Sequence, residues 1–188
     1  MNEIYFVSSN IKKYREIRLA LDRHSIPLKF RDATLTEIQS DSLGCIASEK
    51  AKGAFQIIAK PVIIEDDGLF IHSLRGFPGP YSSYIFKKIG NKGILKLLSA
   101  SKDRLASFIS ILVYADGDET RRFIGKIDGR ISYTVKGAGW GYDPIFIPIG
   151  SNRSFGQLGE RKALISHRGI AVASFAKWYH RNNLTQDS

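Results

Sequence analysis

Cysteine is almost absent from this chain of 188 residues, and its single occurrence, Cys45, excludes an intrachain disulfide. Cysteines and histidines at metal-binding spacings are also missing, which excludes a zinc site of the usual kind. No apolar run approaches the ~20 residues that a membrane helix needs, and a strand-like segment stands where a signal peptide would. These absences predict a cytoplasmic protein that binds no membrane.

Two widespread catalytic motifs are absent as well. The chain has no G-x-S-x-G nucleophile turn and no G-x-x-x-x-G-K-[ST] loop, so neither a serine hydrolase nor a P-loop enzyme is indicated. Acidic residues are the scarcer charge, with 18 Asp and Glu against 28 Lys and Arg, a net charge of +10. A positive chain favours polyanionic partners such as nucleic acid or triphosphates, although dispersed basic residues are also typical of a solvated surface.

Hydrophobic patterning predicts alternating strands and helices, and the length fits one domain or two lobes around a cleft. Strands are expected at residues 4–7, 28–31 and 62–64, and in a hairpin of residues 107–114 and 120–124, with another strand over 126–132 through a second Asp-Gly turn. Helices are expected at residues 11–21, 43–58, 83–98 with a break between Gly90 and Gly93, and 166–179. Residues 182–188 are expected to form a frayed tail.

Three consecutive acids, Glu65-Asp66-Asp67, follow the apolar residues 62–64 and are predicted to stand at the end of that strand. Adjacent carboxylates repel one another, so at least one of them requires a cation or a proton. Magnesium bound to oxygen ligands and phosphates would meet this need. Because Asp-Asp-Gly also favours turns, a solvated acidic turn is the alternative interpretation.

Polar residues before the first predicted helix offer a phosphate site. Asn10, after Ser8 and Ser9, can cap the helix start, where backbone amides without partners point outward. Lys50, on a mostly apolar helix, either reaches a phosphate or extends into solvent.

Two segments near the C-terminus combine aromatic and donor groups. In residues 139–144, Trp140 and Tyr142 alternate with glycines and form either a packed turn or a surface on which a base stacks. In the second segment Ser166 can cap a helix, while His167 and Arg168 can donate to a phosphate or to a ring carbonyl oxygen.

Together these blocks resemble the inosine triphosphate pyrophosphatase family over roughly residues 3–179, most closely its archaeal branch. The resemblance implies an α/β (mixed α+β) fold in which helices flank a long mixed twisted sheet and two lobes enclose a central substrate cleft. It also implies a homodimer without stable nucleic acid. The implied reaction is magnesium-dependent hydrolysis of ITP, dITP and XTP between the α- and β-phosphates, which yields the monophosphate and pyrophosphate.

The same resemblance assigns roles to individual residues. Asp66 matches the family's catalytic base and Lys50 a lysine that faces the phosphates, while Glu37 and Glu65 match magnesium ligands. The substrate-binding residues it implies are Ser8, Asn10, Lys13, Asp67, Trp140, Tyr142, Asp143, Lys162, Ser166, His167 and Arg168.

Four departures from the family pattern lie at or beside these positions. Ser8 and Ser9 replace the usual Thr-Gly pair, and Asp67 stands where a Ser or Thr is usual, as an extra acid that is expected to raise the pKa of Asp66 or to change metal geometry. Ala163 replaces an Asn, and Gln157 with Leu158 stands where the family has a Glu; both departures bear on base selectivity.

Two other functions remain open on the sequence. The net charge and two tryptophans also suit a nucleic-acid-binding module. A pyrophosphatase that acts on modified pyrimidine nucleotides is the second alternative.

Overall fold

The computed structural model describes residues 3–184, in which seven strands form one mixed sheet and six α-helices pack around it. The strands are β1 (Ile4–Val7), β2 (Leu28–Arg31), β3 (Val62–Ile71), β4 (Pro78–Gly79), β5 (Leu105–Ala115), β6 (Thr120–Ile131) and β7 (Phe146–Pro148). The helices are α1 (Ile11–Asp22), α2 (Leu43–Ile58), α3 (Ser82–Leu97), α4 (Phe155–Leu158), α5 (Lys162–Ile165) and α6 (His167–Leu184).

The sheet combines parallel and antiparallel pairing, in the order β2-β1-β3-β5-β6-β7, with β4 also paired to β3. Strand β1 pairs in parallel with both β2 and β3, whereas the other pairings are antiparallel. Strand β5 pairs with the whole of β3, from Val62 opposite Ala115 to Ile71 opposite Ala106. The predicted mixed sheet is confirmed.

Local sequence accounts for the ends of the first two helices. Asn10 adopts an extended conformation and caps α1, and α1 buries Ile17 and Leu21 against the sheet. Helix α2 ends where Ala59 turns into the left-handed region, two residues before Pro61, which cannot continue a helix. No helix within residues 3–184 has the length and apolar character required to span a bilayer.

Three hydrophobic clusters divide the long strands into two lobes. In the first lobe, α1 and α6 cover one face of the sheet, where Phe6 and Phe175 are buried, and α2 covers the opposite face, where Ala47 and Val113 are buried. The third cluster lies at the other end of the strands and includes Phe146, with side chains of α3 and α4. The middle of each long strand therefore lies between two cores.

The three acids lie in the middle of β3, so the prediction that they stand at the end of a strand was wrong. The strand continues through Gly68 to Ile71 because residues 66–71 pair with β5 without interruption. Gly68 does not form a turn: a Cβ there would lie 2.5 Å from the carbonyl oxygen of Gly79 in β4. The glycine that suggested a turn instead permits close contact between two strands.

Two other predictions from the sequence need correction, and one is confirmed. Asp128 and Gly129 pair with β5 and do not turn, so β6 is a single strand of 12 residues. Helix α6 extends to Leu184, which makes residues 182–184 helical, while residues 185–188 lie outside the described range. The expected break in α3 is present at Gly90, whose φ of 58° and ψ of −165° are not helical.

Candidate active site

The acids of β3 lie at an opening in the sheet. On the side of β3 away from β5, β1 pairs only with Val62 and Ile63, and β4 pairs only with Leu69 and Phe70. Residues 64–68 therefore have no neighbouring strand on this side within the described part of the chain. A cleft of about 550 Å³ occupies this position and is lined by all three acids.

Strand alternation sends the three acids to opposite faces of the sheet. Glu65 and Asp67 point toward α1 and α6, whereas Asp66 points toward α2, as their contacts show. Because β3 is open at its edge, side chains on both faces still reach the same cleft.

On the α1–α6 face, two cations hold the two carboxylates. The Lys13 Nζ atom lies 2.9 Å from Glu65 Oε2 and also contacts Asp67 Oδ1. The Arg168 Nε atom donates to Glu65 Oε1 at 3.1 Å, and Arg168 Nη2 lies 3.2 Å from Asp67 Oδ1. Glu65 also accepts a 2.6 Å hydrogen bond from the Ser110 hydroxyl, so the Glu65 side chain is fully buried and held from three directions.

On the α2 face, Lys50 joins two further carboxylates. Its Nζ atom lies 2.8 Å from Asp66 Oδ1 and also contacts Glu37, whose side chain is 57% exposed at the mouth of the cleft. The second Asp66 oxygen, Oδ2, is buried without a hydrogen-bond partner among the described residues. It is therefore an acceptor that remains available to a ligand.

The aromatic side of the cleft is organised by Glu16, which the sequence analysis did not identify. Glu16 accepts hydrogen bonds of 2.8 Å from Trp140 Nε1 and from Lys162 Nζ, and it also contacts Arg168 Nη1. Lys162 in turn lies 2.7 Å from Asp143 Oδ2. These contacts fix the Trp140 ring, with Lys162 and Arg168 located 5.1 and 5.3 Å from its centroid.

Close contact between α6 and β6 places His167 and Arg168 in the cleft. A Cβ at Gly125 of β6 would lie 1.8 Å from the backbone oxygen of His167, so only glycine allows this approach. The Ser166 hydroxyl accepts a hydrogen bond from Gly169 N at 3.1 Å, which is the capping role weighed from the sequence. The His167 ring stacks on Phe108 with centroids 4.5 Å apart, and neither of its nitrogens has a hydrogen-bond partner among the described residues.

Burial and neighbouring charge shift the pKa values of the acids in different directions. Burial raises the pKa of Asp66, although the charges of Lys13 and Lys50 oppose it; Glu65 is the neighbouring carboxylate that adds to the rise. Burial alone would also raise the pKa of Asp67, but Lys13 and Arg168 hold it well below its ordinary value. Asp66 is thus easier to protonate than Asp67, which suits a general base.

Sequence comparison identifies the group of proteins to which this cleft belongs. The model described as the Ham1 family matches residues 4–178. The chain belongs to the Ham1 family. This membership confirms the resemblance that the motifs indicated.

Curated relatives and solved structures agree with the Ham1 assignment. A protein named dITP/XTP pyrophosphatase from Methanopyrus kandleri is 47% identical over 183 residues, which cover 96% of this chain and 97% of the relative. A protein of the same name from Korarchaeum cryptofilum is 46% identical over 176 residues, 94% of this chain and 95% of the relative. The solved structure of a HAM1 protein from Coxiella burnetii has a TM-score of 0.83 and 27% identity, covering 96% of this chain and 100% of that chain.

Most of the residues expected from the sequence meet in the Ham1 cleft. Ser166 is the exception, since it is buried in the corner between α5 and α6. Tyr142 lines the cleft but is also 4% exposed, packs against Phe86 and donates to Ser82 O at 3.1 Å. The cleft is lined by Ser8, Asn10, Lys13, Glu37, Lys50, Glu65, Asp66, Asp67, Trp140, Tyr142, Asp143, Lys162, His167 and Arg168.

The geometry of the cleft corrects one expectation and meets another. The amides at the start of α1 were expected to be free, but the Asn10 side chain accepts hydrogen bonds from Lys12 N and Lys13 N. The acids were expected to require a cation or a proton, and Lys13, Lys50 and Arg168 supply positive charge beside them.

The donor set nevertheless fits a magnesium ion that is shared with phosphates. Within residues 3–184 no group of three or more His, Cys, Asp or Glu side chains could hold a metal by itself. Magnesium, however, usually keeps several waters and is bound by one or two carboxylates together with substrate phosphates. The exposed Glu37 carboxylate at the mouth of the cleft and the Glu65 carboxylate inside it are oxygen donors of this kind.

Proposed function

We propose that this Ham1 protein hydrolyses non-standard purine nucleoside triphosphates such as dITP, ITP and XTP to the monophosphate and pyrophosphate. The observation that carries the proposal is the open edge of β3, where a buried carboxylate with an unpaired oxygen lies among lysines, in a cleft that also contains Trp140. The names of the relatives support this substrate class for the chain.

The phosphates are expected to bind along the open edge of β3. Two contacts show which backbone groups face this edge. The Lys13 ammonium donates to the Glu65 carbonyl oxygen at 3.3 Å, and Leu69 N donates to the Ser82 hydroxyl at 2.8 Å. The backbone groups of every second residue of β3, counted from Glu65 to Leu69, therefore face the open edge. By the same alternation, the amide of Asp67 points into the cleft. This amide, with Lys13 and Lys50, offers donors to a polyphosphate chain.

Charge balance supports a requirement for a divalent cation. Six carboxylates and four cations form two networks of contacts, one around Lys13, Lys162 and Arg168 and the other around Lys50. Burial lowers the pKa of the neighbouring His167, which disfavours a further positive charge there. Lys12 and Lys87 also line the cleft, and they bring the balance only to neutrality. Glu37 and Glu65 would hold a magnesium ion that neutralises phosphate charge.

Asp66 is proposed as the general base. Its unpaired oxygen accepts a proton from the attacking water as the water oxygen bonds to phosphorus and the bond between the α- and β-phosphates breaks, releasing pyrophosphate. Lys50 holds the other Asp66 oxygen and fixes the orientation of the carboxylate. The raised pKa of Asp66 makes its carboxylate a stronger base.

The purine ring of the substrate is proposed to stack on Trp140, which Glu16 holds in place. The His167 ring nitrogens have no hydrogen-bond partner among the described residues, and Arg168 Nη2 lies 3.2 Å from Asp67 Oδ1; a 6-oxygen on hypoxanthine or xanthine would accept from these donors. Adenine presents an amino donor at that position, and each unpaired buried group costs about 1–3 kcal/mol. Two such mismatches would disfavour ATP by on the order of a hundredfold or more, whereas GTP, which shares the 6-oxygen, is rejected less strongly.

A substrate panel tests this proposal. We expect kcat/KM for dITP, ITP and XTP to exceed that for GTP, and that for GTP to exceed that for ATP, in the presence of magnesium. The ITP/ATP ratio should fall in Arg168→Ala, while the exposed variant Arg153→Ala should keep the native ratio. Equal values for ITP and ATP would contradict the base-recognition model. Turnover only of modified pyrimidine triphosphates, or salt-sensitive DNA binding without turnover, would favour one of the two alternative functions.

A further inference from the structure

The side chain of Asp67 contacts Lys13, which is expected to bind phosphate, and Arg168, which is expected to bind the purine. One of its oxygens, Oδ1, contacts Lys13 Nζ and lies 3.2 Å from Arg168 Nη2. The Asp67 side chain is 15% exposed and lines the cleft, so these contacts lie at the surface that a ligand meets. A carboxylate placed between an ammonium and a guanidinium offers the same chemistry as a phosphate oxygen.

The two cations do not depend on Asp67 for a partner. Lys13 keeps Glu65 Oε2 at 2.9 Å, and Arg168 keeps both Glu65 and Glu16. The remaining Asp67 oxygen, Oδ2, lies 3.7 Å from His167 Nε2, which is too long for a hydrogen bond. Removal of the Asp67 charge would thus leave neither cation buried without an anion, and the fold should tolerate it.

We propose that Asp67 is a built-in competitor of the substrate phosphates. Its carboxylate takes one position on Lys13 and is also held by Arg168, and a phosphate must displace the carboxylate to bind Lys13. The residue therefore weakens the binding of every polyphosphate, whatever base it carries. The identity of the polyphosphate as a nucleoside triphosphate rests on the proposed function, but the competition itself does not.

A metal-ligand role for Asp67 makes the opposite prediction. If Asp67 helped to hold magnesium, removal of its charge would raise the magnesium concentration needed for half-maximal binding or turnover. If it competes with phosphate, removal of its charge strengthens polyphosphate binding and leaves the magnesium requirement unchanged. The two roles thus differ in the direction of the effect.

Calorimetry with inorganic tripolyphosphate tests the competition directly, with saturating magnesium and again with chelator. We expect Asp67→Asn to bind tripolyphosphate about tenfold more tightly than the native protein, equivalent to about 1.4 kcal/mol. Asp67→Ser should show the same gain, and Asp67→Glu, which keeps the charge, should stay near native. The exposed turn residue Asp118 provides the control, because Asp118→Asn changes charge equally and should bind as the native protein does.

Kinetics then separate binding from chemistry. In Asp67→Asn, KM for XTP should fall about tenfold, in line with the gain in binding. The kcat value should change less than KM, and thermal melting should show a folded protein.

Unchanged or weaker tripolyphosphate binding in both Asp67→Asn and Asp67→Ser, or no binding by any variant, would overturn the proposal. So would a raised magnesium requirement. Tighter tripolyphosphate binding without turnover of any nucleotide would refute the proposed function and leave the competition standing.

Discussion

Replacement of Glu16 by Gln should cost stability in a pH-dependent way, because Glu16 is the common partner of Trp140, Lys162 and Arg168. Burial alone would raise the pKa of Glu16, but the charges of Arg168 and Lys162 lower it from 4.5 to about 2. The Glu16 side chain is only 21% exposed, so solvent screens these charges incompletely. At 1.36 kcal/mol per pH unit, this lowering contributes about 3 kcal/mol of folding free energy at pH 7.

The sign of the pH dependence follows from the lowered pKa. The contribution is fully present above the pKa of the unfolded chain, near 4.5, and disappears as the pH falls through the folded value near 2. The same two values leave about 1.4 kcal/mol at pH 3. Glu16→Gln should therefore lower the free energy of unfolding by about 2–3 kcal/mol at pH 7 and by less than half of that at pH 3.

Urea denaturation at pH 7 and at pH 3 measures both values. Glu49→Gln is the matched control, since Glu49 is 47% exposed and pairs with Lys52 on the surface of α2. Such surface pairs contribute about 0–1 kcal/mol. A loss in Glu16→Gln that is the same at both pH values, or no larger than that in the control, would refute the account of Glu16 as a buried charge partner.

Three further predictions concern the general base, the contact between α6 and β6, and the magnesium requirement. Asp66→Asn should reduce kcat by about 10²–10⁴-fold while substrate binding persists. Turnover by the native protein should decline as the pH falls through the raised pKa of Asp66. A near-native kcat in the variant would place the general base elsewhere. Gly125→Ala should lower the melting temperature and the turnover because the added Cβ would collide with α6. Gly53→Ala is the control: an added Cβ there has no atom within 4 Å, and the change should raise stability by about 0.5–1 kcal/mol. Excess chelator should abolish turnover of XTP, and added magnesium should restore it; full activity in chelator would contradict the charge argument.

Sequence patterns predicted the elements of the fold better than they predicted the ends of those elements. Apolar residues 62–64 predicted the start of β3, but the polar residues Glu65-Asp66-Asp67 concealed its continuation. Those acids stay in the strand because the cations that neutralise them come from α1, α2 and α6, which are distant in sequence. A local pattern cannot reveal partners of this kind.

Glycines misled the sequence analysis for a related reason. Gly68 and Gly129 follow an Asp, as turn glycines often do, yet both lie in strands. Each is needed where another backbone passes, since a Cβ would lie 2.5 Å from Gly79 O or 2.3 Å from Ile147 O. Such contacts become visible only once the strands are assembled.

The candidate site was predictable where motifs are contiguous and unpredictable where one side chain joins several motifs. The resemblance supplied the residues of β3 and the segment from Ser166 to Arg168, and their catalytic and binding roles remain predictions. Glu16 was missed because it lies on α1 among ordinary charged residues; its position six residues after Asn10, on the helix that carries Lys13, was the only available signal.

The central claim is that this protein cleaves the bond between the α- and β-phosphates of a non-standard purine nucleotide, with Asp66 as the base. Chromatography of the products formed from XTP and magnesium by the native protein and by Asp66→Asn tests it most directly. The account predicts equal amounts of XMP and pyrophosphate from the native protein and almost none from the variant. Release of XDP and orthophosphate, or equal product formation by both proteins, would contradict it.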